Sequence, residues 1–317
     1  MFFDMGTANK KQEIKDNYDI VIIGGGPAGI SASIYAVQGG LKPLIIEKTV
    51  EGGQMNLTEL VENYPGFKSI EGSEIGEKMG EHAKHYGVDF HFATVTEIIN
   101  NEDNKLVKTD DGKAITTKVI IIATGANPRP LGAEGERAFT GRGISYCASC
   151  DGHFFKDQKV AVIGGGNTAL EESLYLAKIA KEVVIIHRRD KLRADKLYQD
   201  RAMALDNVSF KFDSEVTAFK GDKKLNSLTI LNKKEDKEYD EEFDGAFVFI
   251  GLVPATGFLG NMLETDPRGY IETDQNMETN IKGIYAVGDV RNTILRQIVT
   301  AVSDGAIAAS HAVREYF

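Results

Sequence analysis

The sequence predicts an α/β protein built from two related domains, each centred on a parallel sheet. Three observations carry this. Two segments match without a gap at an offset of 140 residues: DIVIIGGGPAGISASIYAVQGGLKPLIIEK from Asp19 and KVAVIGGGNTALEESLYLAKIAKEVVIIHR from Lys159. Repetition at that scale means two related domains rather than a solenoid. Each copy opens on a short β-branched run, Ile20 to Ile23 or Val160 to Ile163, as a strand buried on both faces requires. Each run then enters a glycine turn, a helix-period stretch and a second apolar run, which closes a βαβ unit of about 30 residues.

Before the first strand, residues 1–17 are read as an N-terminal arm that lacks the apolar core of a signal peptide. In the turn that follows, Gly24 permits the tight bend. Gly26 lets the backbone approach a pyrophosphate, and Gly29 lets helix and strand pack closely. Pro27 and Ala28 open the helix, whose free N–H groups and dipole favour an anion at that end. In the second copy Gly164 and Gly166 hold the first two places, Asn167 and Thr168 open the helix, and Ala169 replaces the third glycine. A single such pattern also serves plain structural turns. With strand, turn, helix and strand in place twice, dinucleotide binding is expected at both sites.

The residue ending the second strand of each copy reads the ribose. In the first copy it is Glu47, 18 residues beyond Gly29; a carboxylate there accepts hydrogen bonds from a free 2′-OH. In the second copy it is His187, followed by Arg188 and Arg189, with Arg193 further along. Guanidinium groups bind a 2′-phosphate through charge-assisted pairs, so NADP is expected there. The plain alternative for HRRDKLRADK is a solvated mixed-charge face, and its place at the ribose corner favours phosphate.

Two further runs suggest that the first nucleotide is FAD. IIIATGANPRP is a buried strand ending in the turn of Thr124 and Gly125, and GIYAVGDV delivers Gly288 and Asp289. The helix after it, entered through Arg296, Gln297 and Ile298, points its positive dipole end where a reduced flavin carries negative charge. Taken alone, the Gly-Asp pair is an ordinary turn.

Between the copies lies CASCDG, with Cys147 and Cys150 as the chain's two cysteines. Structural zinc needs four ligands, and no second pair exists. A loop this short restrains the unfolded chain weakly, so a passive staple is disfavoured. Redox exchange remains. Asp151 suits either a turn or acid–base work beside the pair.

Composition adds bounds. The chain has 317 residues and a formal net charge of −10, which argues against a nucleic-acid partner. No apolar run reaches the roughly 20 residues of a membrane span. Two cysteines favour a reducing cytoplasm over a disulfide-built secreted protein.

With GGGPAG, GGQMNLTELVENYPG, ATGANPR, CASCDG, GGGNTALEE, HRRDKLR, VFIGLVPAT and GDVRNTILRQ in this order, the chain resembles low-molecular-weight thioredoxin reductases from about Tyr18 to its end. The resemblance implies two Rossmann-like three-layer nucleotide-binding domains, the NADP domain inserted in the FAD domain. Residues 18–128 and 255–317 would bind FAD, and 129–254 would bind NADPH and carry the cysteine pair. FAD would be held by Gly24 to Gly29, Glu47, Gln54, Asn63, Asp289, Arg296 and Gln297, and NADPH by Gly164 to Thr168 and the basic cluster. It further implies a homodimer that passes electrons from NADPH through FAD to the pair and on to the disulfide of thioredoxin. Cys150 would face the flavin, Cys147 would attack the protein substrate, and Asp151 would shuttle protons. Ser149 stands where the family usually has Thr. Because NADPH and the pair both need the flavin, a rotation about linkers near Arg129 and Pro254 is expected. The competing readings are a related flavoprotein disulfide reductase with another acceptor and a non-catalytic dinucleotide-binding protein.

Overall fold

The computed structural model describes residues 14–58, 60–101 and 104–317, with the side chains of residues 57, 60, 149 and 150 outside that set. Residues 1–13 of the expected arm also lie outside it. The described chain forms two compact units. Residues 14–56, 60–126 and 254–317 make the first; 127–253, with 57 and 58, make the second. The first unit starts within the segment read as an arm, since Ile14 is buried and Asn17 opens a strand.

In the first unit the strand Asn17–Ile23 is central. It pairs in parallel with Pro43–Glu47 on one side and Ala114–Ile122 on the other, and Asp89–Phe92 extends the sheet beyond Pro43–Glu47. Ala114–Ile122 is long enough for two partners on its far edge. Its early residues pair antiparallel with Lys105–Thr109, and its last three pair in parallel with Ile284–Ala286. That last pairing brings the end of the chain back to the first unit.

Strand periodicity decides which side chain faces which layer. Ile20 and Ile22 enter one apolar cluster, and Val21 and Ile23 the other. The first cluster is roofed by the helices Pro27–Gln38, Gly72–His85 and Ile298–Tyr316. The second is closed by Val95, Ile98 and Val107 of an antiparallel hairpin, with Leu259, Leu263, Ile271 and Val290. Each fully buried Ile or Val stabilises the fold by about 1.5–3 kcal/mol. The helices Pro27–Gln38 and Ile298–Tyr316 touch through small residues: a Cβ on Gly305 would lie 2.1 Å from the Ala28 carbonyl oxygen.

The second unit holds a five-stranded parallel sheet in the order Ile144–Ser145, Gly245–Phe249, Lys159–Gly164, Glu182–Ile186, Val208–Lys211. Val160 and Val162 face a cluster with Leu170, Leu176 and Ala202, from the helices Asn167–Leu176 and Lys196–Met203. Ala161 and Ile163 face Val216, Phe219, Leu228 and Ile230. These four belong to an antiparallel sheet of Ser214–Gly221, Leu225–Asn232 and Lys237–Glu242. The outer layers are therefore helical on one side and β on the other.

The chain passes between units twice, through Ala126–Pro128 and Leu252–Pro254, which pair as a two-stranded ribbon. Bonds flank the ribbon at both ends: Ala255 N–H donates to the Gly125 carbonyl at 3.0 Å, and Arg129 N–H to the Gly251 carbonyl at 2.9 Å.

Candidate functional site

The first glycine turn is held by backbone contacts that leave no room for side chains. Gly24 has φ of +110°, and a Cβ there would lie 2.3 Å from the Ala123 carbonyl oxygen. A Cβ on Gly29 would lie 2.0 Å from the Gly24 carbonyl oxygen. Gly26 differs, because a Cβ there would meet nothing within 4 Å. It sits at the N-cap of the helix that begins with Pro27 and Ala28, and no side chain caps that end. Open space before uncapped N–H groups is what a pyrophosphate needs. Glu47, 8% exposed, accepts Gly25 N–H at 2.6 Å through one oxygen, and Thr49 N–H at 2.9 Å and its hydroxyl at 3.1 Å through the other. The carboxylate thus braces the turn, and its remaining lone pairs suit a ribose hydroxyl.

The second turn repeats the scaffold. A Cβ on Gly164 would lie 2.4 Å from the Phe249 carbonyl oxygen, and one on Gly166 would meet nothing within 4 Å. The helix that starts at Asn167 and Thr168 is again uncapped by any side chain. Asn167 joins both groups of Asp195: its Oδ1 accepts Asp195 N–H at 2.7 Å, and its Nδ2 donates to Asp195 Oδ2 at 2.7 Å. It therefore ties the basic loop to the helix N-terminus. His187 is buried, and its Nε2 lies 3.0 Å from the Lys191 carbonyl oxygen. Burial lowers its pKa; the Lys191 carbonyl opposes this, and Arg193, Arg189 and Arg188 add to it. Its imidazole is a buried wall of the corner, and Arg188, Arg189 and Arg193 beside it are all exposed.

The other residues expected at the flavin lie in the first unit. Asn63 and Gln297 meet directly, Asn63 Nδ2 donating to Gln297 Oε1 at 2.9 Å. Gln297 also forms a capping box with Thr300 at the start of the helix opened by Ile298. Gln54 Nε2 donates to the Ala126 carbonyl. Thr124 Oγ1 donates to the Ala255 carbonyl at 2.9 Å, beside Gly125. Burial raises the pKa of Asp289, with Arg296 opposing and Asp304 adding to the effect. Arg296 lies over the Tyr270 ring at 3.9 Å, and its Nε is buried without a partner. An unpartnered buried donor beside a desolvated carboxylate fits a polar cofactor.

Sequence reasoning missed two supports here. Asp304 accepts Gly288 N–H at 3.1 Å and pairs with Arg291 at 3.2 Å. Tyr270 carries Arg296. Asp304 had a signal, as a lone acid in an apolar helix run; Tyr270 had none.

In the second unit, Cys147 is disulfide-bonded and directly precedes the helical turn Ala148–Asp151. The Cys150 side chain lies outside the described residues. Asp151 N–H donates to the Cys147 carbonyl at 3.3 Å, which closes this turn. Phe154, three residues past Asp151, is 67% exposed and packs on His153 at 3.9 Å between ring centroids.

The chain matches the family described as pyridine nucleotide-disulphide oxidoreductase over residues 18–305. It is 46% identical to the thioredoxin reductase of Listeria monocytogenes over 296 residues, covering 93% of this chain and 92% of the relative. The Bacillus subtilis thioredoxin reductase is 44% identical over 293 residues, with 92% of each chain covered. The crystal structure of Lactococcus lactis thioredoxin reductase in its FR conformation superposes with a TM-score of 0.91 at 47% identity, covering 94% of this chain and 98% of that one. With its paired nucleotide turns and bonded Cys147, the chain belongs to the pyridine nucleotide-disulphide oxidoreductase family, among its thioredoxin reductases.

Proposed function

We propose that this chain is an NADPH-dependent thioredoxin-disulfide reductase in which Cys147 and Cys150 form the working couple. The observation that carries the residue assignment is a disulfide-bonded Cys147 within the unit that also holds the arginine-flanked glycine turn. When bound, NADPH supplies a hydride and FAD relays the electron pair to sulfur.

The chain's own residues divide the work. Gly24, Gly26, Pro27, Ala28 and Gly29 bind the FAD pyrophosphate on a helix N-terminus, and Glu47 accepts from its ribose. Gln54, Asn63, Thr124, Gly125, Gly288, Asp289, Arg296, Gln297 and Ile298 complete that site. Gly164, Gly166, Asn167 and Thr168 receive the NADPH pyrophosphate beside the His187 wall. Arg188, Arg189 and Arg193 neutralise its 2′-phosphate. Residues 18–128 with 255–317 act as the FAD domain, and 129–254 as the NADPH domain.

Reduction of the couple breaks one S–S bond and leaves two thiols. Cys147, as thiolate, then attacks the thioredoxin disulfide, and Cys150 displaces thioredoxin from the mixed disulfide. Asp151 holds the proton that each departing thiolate needs. Both NADPH and the couple need the flavin, so the NADPH domain rotates about Ala126–Pro128 and Leu252–Pro254 during turnover. Exposed Phe154 offers an apolar contact to the protein substrate. We also infer a homodimer in the cytoplasm, on the family resemblance and on a couple that needs a reducing supply. Among the described residues no helix is long and apolar enough to cross a membrane.

The test is NADPH-dependent reduction of the host's thioredoxin by the wild type, Cys147→Ser and Cys150→Ser. Both variants should lose turnover while still bleaching their flavin with NADPH. Turnover surviving in either one sinks the assignment. Sedimentation at twice 34.7 kDa checks the dimer.

A further inference from the structure

The backbone of Cys147 is held by the side chain two residues before it. The Ser145 hydroxyl accepts Cys147 N–H at 3.0 Å and donates to the Cys147 carbonyl at 3.0 Å. One side chain therefore holds the peptide groups on both sides of the Cys147 Cα, and with them its φ and ψ. The hydroxyl is itself fixed. Ser145 is 5% exposed and ends a strand whose register pairs Ile144 with Ala246 and Ser145 with Phe247.

The intervening residue is anchored separately. Tyr146 donates its hydroxyl to Glu136 Oε1 at 2.7 Å. Glu136, 5% exposed, also accepts Leu131 N–H at 2.7 Å and Gly132 N–H at 2.6 Å. Burial, and then the bond to Glu136, pushes the Tyr146 phenol up to about 12, so it stays a donor. The approach to Cys147 is thus tied at two successive residues before the chain reaches the sulfur.

We propose that Ser145 is a positioning residue that sets the redox equilibrium of the Cys147–Cys150 couple, an inference that rests on the assignment of that couple above. Closing a disulfide removes conformational freedom from the reduced chain. Where Ser145 already holds Cys147, less freedom remains to be lost, and disulfide formation is favoured. Removing the hydroxyl loosens the dithiol more than the disulfide, so the couple becomes easier to reduce. An ordinary turn-forming serine would change stability and leave this equilibrium alone.

The flavin-loaded full-length protein is equilibrated with glutathione buffers of graded ratio, quenched by alkylation and read by mass spectrometry. The reaction balances: two glutathione thiols and one protein disulfide give one glutathione disulfide and two protein thiols. Two electrons pass to the protein, and both glutathione protons end on its sulfurs. Ser145→Ala should lower the constant for disulfide formation by about three- to tenfold, the weight of one net hydrogen bond. Ser145→Thr, which keeps the hydroxyl, should return it to the wild-type value.

An unchanged constant in Ser145→Ala overturns the positioning role while leaving the couple intact. A wild type whose two cysteines do not titrate together overturns the couple itself. Hydrogen exchange on the oxidised wild type needs no folded variant: the Cys147 amide should be protected, and exchange at the rate of a free amide overturns the proposal.

Discussion

The two glycine turns share a scaffold and differ at the corner. At Gly24 and Gly164 alike a Cβ would collide with a carbonyl at the C-terminal end of a neighbouring strand, at 2.3 and 2.4 Å. Gly26 and Gly166 both face open space. In both turns the carbonyl of the middle glycine is pinned from beyond the second strand, Gly25 by Gly52 N–H at 2.8 Å and Gly165 by Arg193 N–H at 2.7 Å. The corner residue then departs. Glu47 is an anionic acceptor bonded to the turn itself, whereas His187 is a buried ring whose cationic neighbours lie outside in solvent. Scaffold is backbone geometry and is copied; ligand choice is side-chain charge and is not.

Substitution at the shared first glycine should have the largest effect, and a different one in each unit. Gly24→Ala should yield protein without retained flavin. Gly164→Ala should keep flavin yet lose NADPH affinity by about 100-fold, a loss of roughly 2.7 kcal/mol. Flavin absorbance and NADPH titration separate the two, and loss of flavin from both would break the division of sites.

The third glycine tests where the scaffolds diverge. Gly29→Ala places a Cβ 2.0 Å from a backbone oxygen and should destabilise the first unit by about 3 kcal/mol. Ala169→Gly should cost only about 1 kcal/mol, through helix propensity. Denaturant titration measures both, and equal losses would remove the distinction.

The corner comes next. Replacing Arg188 and Arg189 with Ala should weaken NADPH by about 30-fold, near 2 kcal/mol, as lost charge-assisted bonds imply. NADH should change little, and a matching loss for NADH contradicts the phosphate assignment.

Smallest is a pH effect confined to the second corner. Burial depresses the pKa of His187, while the unfolded chain takes up that proton below about 6.5. The contribution of neutral His187 is therefore present above about 6.5 and lost as pH falls through the folded value. His187→Gln should unfold with a flatter pH dependence between neutral pH and pH 5. Identical slopes would show that the ring is not held neutral.

Much of this was legible in the chain. The repeat, the strands at Ile20 and Val160, the collision-prone Gly24 and the cysteine pair each follow from local rules of backbone geometry or residue chemistry. Other features had no local signature. The strand Lys237–Glu242, KEYDEE, reads as a solvated charge run and becomes a strand because Leu225–Asn232 offers it a partner. Glu136 gives no hint that it accepts two backbone amides and a phenol. Nor does Asn167 hint that its side chain bonds Asp195.

The sequence by itself determined the two glycine turns, the difference in charge between the corners that follow them, and the close spacing of Cys147 and Cys150 in CASCDG. Steric exclusion at glycine, carboxylate or guanidinium charge, and thiol chemistry act over a few residues and need no knowledge of the fold. Only the tertiary structure decided which groups support them: Ser145 around Cys147, Asp304 under Gly288, Tyr270 under Arg296 and the antiparallel sheet behind Ala161 and Ile163. Those contacts join segments that the chain separates or turns by chance of spacing. Hydrogen bonds and burial, which depend on distance in space, select them only once the sheets have formed.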